Sequence, residues 1–374
     1  MTNGGGAGGQ AMPPAGLRLV EDILACPICG EPLTLADRQL RCPSKHSFDI
    51  AKQGYASLVV GGRTPKTGDT AAMVEARDAF LRRGAYEPIA DAVGAAIDAV
   101  ESVAAGGGGG GGAGAAGAGA AVGAAHATAA ASGGADVAAA VGRGSGAGDD
   151  AAGAAAVAVA EVGPGIGDPL VVDIAGGTGY YLGRVLDGHP GFRGLTLDLS
   201  PLAARRAARS HPRAAAGTAD AWAAFPVRTA SADVVLSIFG PRNGPEMLRV
   251  LRPGGVLVVV TPQPGHLVQL RDALGMIGIA ERKDERLDAQ LAGFELVART
   301  AFDYTVALGR DDIRNEVLMG PSAHHLDPVE LDARLASLAG GTADAGGIGR
   351  TDGTDGTSGT DVTIAVTVST FRRP

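Results

Sequence analysis

The chain has 374 residues, a formal net charge of −8 and 45% apolar residues, but only 8 Phe, 5 Tyr and 1 Trp against 60 Gly. Glycine at more than twice its usual share of about 7% means that much of the apolar count is alanine, which adds little to a core. Three tracts cannot build one: 1–18, the Ala/Gly stretch 102–168, and 339–360. The remainder, roughly 270 residues, suits one catalytic domain with a small module and excludes a large multidomain assembly. No strongly apolar run reaches the length of about 18 residues needed to span a bilayer. The 102–168 tract is long enough, but it is Gly/Ala-rich and carries Arg143, Asp149 and Asp150. No basic segment followed by an apolar run marks the N-terminus as a secretion signal. All three cysteines lie within 26–42; an odd, clustered set points to the cytoplasm, where thiols stay reduced and hold metal. No membrane partner is expected.

The tail 1–18 is expected to be disordered, and the first element is a module over 19–60. Cys26 and Cys29 form a C-x2-C knuckle, and after a twelve-residue spacer Cys42 and His46 form C-x3-H. A tetrahedral zinc needs four such ligands at short reach, and two knuckles joined by a hairpin supply them. Gly30 follows Cys29 where the knuckle turns, and Leu33, Leu35 and Leu40 can line the hairpin. With four protein ligands the metal has no open position, so one structural zinc per chain is expected. It either replaces a core too small to fold alone or also helps the ribbon dock nucleic acid. From 41 to 83 the cations Arg41, Lys45, Lys52, Arg63, Lys66, Arg77, Arg82 and Arg83 outnumber Asp49, Asp69, Glu75 and Asp78. That local excess can bind phosphate, or it is a solvated face.

A helical connector, 61–101, and the Gly/Ala-rich insertion, 102–168, expected to be disordered, lead to a domain over 169–374 in which strand and helix patterns alternate. Pro169–Ile174 is an apolar strand containing Asp173, followed by the turn Ala175-Gly-Gly-Thr-Gly179 and a helix from Tyr180 to Leu186. Gly194–Asp198 is a second strand, with Ser200-Pro201 as N-cap and first-turn pair. Ala232–Ile238 gives another strand, Leu251–Gly255 a turn, and Val256–Thr261 a further strand. Phe294–Leu308 and Val362–Phe371 form a closing antiparallel pair, separated in part by a disordered loop at 339–360. Such alternation indicates an α/β fold with a parallel sheet buried by helices.

The Gly-rich turn between strand and helix admits a close ligand. A P-loop is excluded because no Lys-Ser/Thr follows the glycines, and the dinucleotide pattern fails because Leu182 takes its third glycine position. What remains is D-x-x-G-G-x-G with a second acid, Asp198, nineteen residues after Gly179. This is the arrangement of S-adenosylmethionine (SAM) sites. Asp173, Ala175, Gly176, Gly177, Gly179 and Tyr180 would bind the cofactor, the glycines making room for its amino-acid moiety; Asp198 would receive the ribose hydroxyls, and Asp220 would reach the adenine amino group. Alternatively, Asp173 is a turn cap and Asp198 a solvent-facing strand end.

The string C-P-x-C, C-P-x-x-H-x-F-D and Ala51-Lys-Gln-Gly-Tyr55 resembles the RlmA-type 23S rRNA (guanine-N1-)-methyltransferases. Gly68-Asp69, Ala76-Arg77, Phe80-Leu81, Val172–Ile174, Gly179–Tyr181, Asp198–Ser200, Arg249–Gly255, Thr261-Pro262 and His266-Leu267 extend the match. Ile238–Asn243 and Met319–Ser322 are closer to the Gram-positive branch that includes tylosin-resistance enzymes. Two positions depart: the family's first turn glycine is Ala175, and its acid before the last glycine is Thr178.

The resemblance implies a Rossmann-like class I SAM-dependent methyltransferase sheet with an N-terminal zinc ribbon. The implied activity is on a 23S rRNA hairpin lining the peptide-exit tunnel near the macrolide site, as free rRNA or in a large-subunit precursor. It implies a possible macrolide-resistance role and a homodimer whose ribbons form an RNA cleft. Guanine N1 carries a proton at neutral pH, so its attack needs a base or stabilisation of charge on O6. The loop Phe239–Asn243 is the natural place: Arg242 or Asn243 would contact the base edge and Glu246 would be the base, or else an exposed first-turn helix residue. Absence of N-P-P-[YF] there argues against exocyclic-amine methylation. Two other readings stand beside this one: a small-molecule methyltransferase with a structural ribbon, and a non-catalytic RNA-binding protein with a degenerate SAM fold.

Overall fold

The computed structural model describes residues 14–60, 68–106, 167–278, 283–340, 350–352 and 358–374. The N-terminal part holds α1 (Ala15–Leu19), a 3-10 turn at Glu21–Ile23, a three-stranded antiparallel sheet of β1 (Thr34–Ala36), β2 (Gln39–Arg41) and β3 (Ser47–Asp49), then β4 (Ala56–Ser57). Two helices follow, α2 (Ala71–Arg82) and α3 (Glu87–Gly106). Alternation then begins as expected: β5 (Leu170–Ile174), α4 (Tyr180–Gly188), β6 (Arg193–Asp198), α5 (Pro201–Ala207), β7 (Ala214–Thr218), β8 (Ala232–Ile238), α6 (Gly244–Val250) and β9 (Leu251–Pro262). The chain continues through α7 (Val268–Leu274), α8 (Lys283–Gln290), β10 (Glu295–Leu308), α9 (Arg310–Met319), a 3-10 turn at Pro321–His324, α10 (Pro328–Gly340), β11 (Arg350–Asp352) and β12 (Ser358–Arg372).

The large sheet runs β10-β12-β9-β8-β5-β6-β7-β4, with β11 paired to β12. Strands β4 to β9 in this sheet pair in parallel, whereas β12 is antiparallel to both β9 and β10. This is the Rossmann-like class I methyltransferase sheet, closed by the expected antiparallel pair. The order reverses between β5 and β8, and a crevice opens there at the carboxyl ends of the strands. All five residues of β5 are buried, as a parallel strand covered on both faces requires. Alternation sends Val171, Val234, Leu236, Val258 and Val260 into one helical layer and Leu170, Val172, Val235, Leu257 and Val259 into the other. Ser200 caps α5, accepting from the Ala203 N–H at 3.4 Å, with Pro201 in the first turn.

The structure redraws several boundaries. Ala15–Leu19 is helical rather than part of a tail, because Leu17 is buried and Gly16 brings α1 against the backbone of Ala214. The ribbon and the large sheet share one core: Leu24, Leu33, Leu40 and Phe48 belong to the same cluster as Leu195, Leu197 and Val227. Main-chain bonds join them, with Ala25 N–H donating to Pro226 O at 3.0 Å and Arg228 N–H to Ile23 O at 2.8 Å. Strand β4 extends the large sheet by pairing with β7. The segment 251–255 belongs to strand β9 and bulges: Ala232 pairs Leu251 while Val234 pairs Val256, and Gly254 at φ +76° takes up the extra residues. Of the tracts expected to be unstructured, 1–13, 107–166, 341–349 and 353–357 lie outside the described residues. Their flanks are ordered: α3 reaches Gly106, α10 reaches Gly340, and β11 lies within the last tract.

Candidate active site and metal centre

The ligand atoms of Cys26, Cys29, Cys42 and His46 all lie within 4.8 Å of one another. The Cys29 and Cys42 sulfurs are 3.7 Å apart, and His46 Nδ1 is 3.4 Å from the Cys42 sulfur and 3.6 Å from that of Cys26. A tetrahedron with metal–sulfur bonds of about 2.3 Å and metal–nitrogen bonds of about 2.0 Å has edges of about 3.5–3.8 Å, so the four side chains fit zinc. Each knuckle closes by a short turn. Gly30 N–H donates to Cys26 O at 2.8 Å and Lys45 N–H to Cys42 O at 3.0 Å, with Gly30 at φ +76° and Lys45 at φ +67°. The backbone N–H of Glu31 draws the Cys29 thiol down to about 7, towards the thiolate that a metal needs, whereas burial pushes Cys26 up. The excess of cations between 41 and 83 is partly neutralised. Arg77 pairs with Asp69, Arg82 with Asp78 and Arg83 with Asp312, while Arg63 and Lys66 lie outside the described residues.

A cavity of about 820 Å³ opens at the carboxyl ends of β5, β6, β8 and β9. Asp173, Ala175, Gly176, Gly177, Tyr180, Asp198 and Asp220 line it. Gly179 does not line it; it caps α4 at φ +78°, and a Cβ there would stand 2.7 Å from Ser210 Oγ. Asp198 accepts from the N–H groups of Gly177 at 2.9 Å and Ser200 at 2.8 Å, so its carboxylate braces the turn. Burial raises Asp198, opposed by those two N–H groups. Asp173 is fully buried, and its Oδ2 has no hydrogen-bond partner. Burial, then the charge of Asp198, pushes it up to about 8. Any Cβ on Gly176 would collide with that carboxylate. An orphaned acid beneath a backbone cradle with room only for glycine fits a cationic ligand that carries hydroxyls, which is what SAM is.

The loop after β8 divides the expected catalytic residues. Arg242 lines the cavity, half-buried, with its Nε donating to Gln290 Oε1 at 3.0 Å. Asn243 is not among the lining residues; its Nδ2 donates to Ala223 O at 3.3 Å. Glu246 also lies away from the cavity. It pairs with Arg249 at 2.7 Å and accepts from Phe225 N–H at 2.7 Å, and although burial raises it, these partners leave it below the usual range. The expectation of a base is therefore corrected, since Glu246 ties α6 to the segment before β8.

The family model of the RlmA N-terminal zinc ribbon matches residues 24–59. A Micromonospora griseorubida protein named as a 23S rRNA (guanine-N(1)-)-methyltransferase is 41% identical over 326 residues, spanning 84% of this chain and 92% of its own. The 23S rRNA (guanine(748)-N(1))-methyltransferase of Streptomyces fradiae is 39% identical over 318 residues, spanning 85% and 91%. The chain belongs to this family of methyltransferases. A solved methyltransferase of Bacillus halodurans overlaps 56% of the chain and 94% of its own at 18% identity and a TM-score of 0.39.

Within the family's SAM turn, the departure at Ala175 has a visible cost. Its φ is +54°, a conformation that disfavours any residue with a Cβ by about 1 kcal/mol. Thr178, replacing the acid, is buried. Of the other lining residues, Tyr86, Trp222, His266 and Glu316 carried no role in the sequence, whereas Arg77 counted among the cations over 41–83 and Phe239 opened the loop expected to receive the base. Trp222 is 65% exposed at the cavity. Phe239 sits at φ +54°, strain of the kind that concentrates at functional sites. The signal for Arg77 and His266 was present in the family motifs, although without a role; Tyr86 and Glu316 had none.

Proposed function

We propose that the chain methylates N1 of a guanine in 23S rRNA, using SAM. The observation that carries this is two relatives so named, aligned over nine-tenths of their own length. The chain contributes both parts that such a reaction needs on one core, a cysteine–histidine cluster that fits zinc and a cavity that fits SAM. Bound SAM supplies a methyl on a sulfonium, with a neutral leaving group. Asp198 and the 175–179 turn hold the donor, and the 239–242 loop orients the acceptor, so that the pair meets in line at near-attack distance. A base within a hairpin has to leave the stack to enter such a cavity, and Arg242, which lines it, is the residue that meets its edge in this reading. The large-subunit precursor or free 23S rRNA is the partner, and two chains with their ribbons side by side form the RNA-binding unit. No helix among the described residues is long and apolar enough to cross a membrane.

Primer extension on 23S rRNA from strains with and without the gene tests the reading, because N1-methylguanine blocks the pairing edge and stops the polymerase. A gene-dependent stop is expected, and the guanine for which the Streptomyces fradiae relative is named is the first position to inspect. Labelled methyl entering small metabolites with no stop in rRNA would replace this reading with the small-molecule one. Macrolide resistance, the role implied by the branch, is read from the same strains as growth on tylosin.

A further inference from the structure

Five carboxylates line the cavity, and four already have places on the donor side. Asp69 pairs with Arg77, Asp173 lies under the glycine turn, Asp198 braces Gly177 and Ser200, and Asp220 accepts from Trp222 N–H at 2.9 Å. The fifth, Glu316 on α9, stands apart from them. It is 5% exposed; its Oε1 accepts from Tyr86 Oη at 2.9 Å, and its Oε2 has no hydrogen-bond partner. A fully buried carboxylate oxygen left unsatisfied calls for a ligand that donates to it.

The surroundings give Glu316 a direction. His266 Nδ1 accepts from Ala365 N–H at 3.3 Å, so in the neutral ring the proton sits on Nε2, which faces Tyr86 Oη at 3.3 Å. Tyr86 therefore accepts from His266 and donates to Oε1, leaving Oε2 as the proton acceptor. Tyr86, Phe239 and His266 form an aromatic wall with centroids 5.9–6.1 Å apart, suited to a planar base. Arg77 ties this wall to the donor turn: its Nη2 donates to Met319 O at 2.7 Å, and its Nη1 lies 3.0 Å from where a Cβ on Gly177 would be.

Building on the function proposed above, we propose that Glu316 is the general base that takes the N1 proton of the target guanine. As Oε2 accepts that proton, the N1 electron pair forms the bond to the methyl carbon. The carbon–sulfur bond breaks with its pair kept by sulfur, giving a neutral thioether, and protonated Glu316 later returns its proton to water. Tyr86 and His266 are positioning residues that hold Oε1. Burial raises Glu316 to about 7, opposed by the Tyr86 hydrogen bond and the Arg77 charge, which suits a base working near neutrality. The groups facing it are Arg77 from α2, Tyr86 ahead of α3, Tyr181 from α4 and Tyr304 from β10, with His266 behind Tyr86.

The test uses the full-length chain, 23S rRNA transcript and methyl-labelled SAM, with primer extension on the product. Wild type should give the N1-methylguanine stop, with kcat rising through neutral pH to a plateau. Glu316→Gln should lose about 10²–10⁴-fold in kcat while its calorimetric Kd for SAM stays within about threefold. Tyr86→Phe keeps the carboxylate and removes a hydrogen bond that lowers its pKa, so the midpoint of the pH–kcat curve should move upward; a merely structural tyrosine would not move it. This second variant decides the matter if Glu316→Gln fails to fold. Wild-type kcat in Glu316→Gln, lost SAM affinity with kcat restored at saturating SAM, or an unmoved Tyr86→Phe midpoint would overturn the assignment alone. No stop with wild type would remove the rRNA reading and this base together.

Discussion

Asp173 shows how far one side chain can be read before folding. Its place at the end of an apolar strand, ahead of a glycine turn, marked it as part of the SAM site, as the same chain-local pattern marked Asp198 and Asp220. What no pattern states is its isolation: fully buried, with no partner for Oδ2 and Asp198 nearby, it is pushed up to about 8. Unfolded, it releases its proton near the ordinary value of 3.8. Between those values the unfolded chain gives up a proton that the native chain keeps, so the contribution to stability is whole below about pH 4 and lost as pH rises towards 8. The ligand-free protein should therefore melt lower at pH 8 than at pH 5. Asp173→Asn should remove part of that fall, narrowing it by roughly 5 °C, with Glu316 retaining the rest. Scanning calorimetry at pH 5, 6.5 and 8 checks it, and equal slopes for both proteins would refute it. Glu316 and Tyr86 stayed illegible because each is unremarkable locally, and His266 stood only in a motif without a role; the three meet only when α9, the turn ahead of α3 and the segment after β9 converge.

At the scale of elements, cysteine spacing was enough to read the ribbon's ligands but not its attachment. Its strands β1, β2 and β3 are three residues each, too short to stand alone. The two residues of β4 carry no periodicity that could announce their pairing with β7. The structure makes the ribbon part of the core on one face of the sheet, the face of Leu195 and Leu197, through Leu24, Leu33, Leu40 and Phe48. Losing the metal should therefore be felt beyond the knuckles. Cys26→Ser is expected to abolish stoichiometric zinc and lower the main melting transition by roughly 10 °C. An independent appendage would instead leave the main transition in place and lose only a small separate one. Metal analysis alongside calorimetry distinguishes the two. The misreading of 251–255 has a similar origin: Pro253 and Gly254 have turn chemistry, but the strand absorbs them as a bulge because β8 pairs on both sides of them, at Leu251 and again from Val256.

For the whole molecule, the strand alternation was legible because a buried parallel sheet demands continuous apolar runs, whereas the adjacency of distant strands was supplied by the resemblance. The composition that dominates the chain is a separate matter. The longest continuous part of the Gly/Ala excess falls between α3, which ends at Gly106, and β5, which begins at Leu170. Both elements contribute to the core on either side of that connection, through Ile97 and Val100 at one end and Val171 at the other. Closing a flexible connection costs only about 0.6 kcal/mol for each doubling of its length. Removing 115–155, which shortens the connection about threefold, should thus stabilise the fold by no more than about 1 kcal/mol. The truncated chain should melt at the wild-type temperature or up to roughly 4 °C above it, with unchanged kcat and KM for 23S rRNA. A rise in KM for the RNA at unaltered melting temperature would assign the tract a part in substrate binding, despite a composition with almost no side chains able to make contacts.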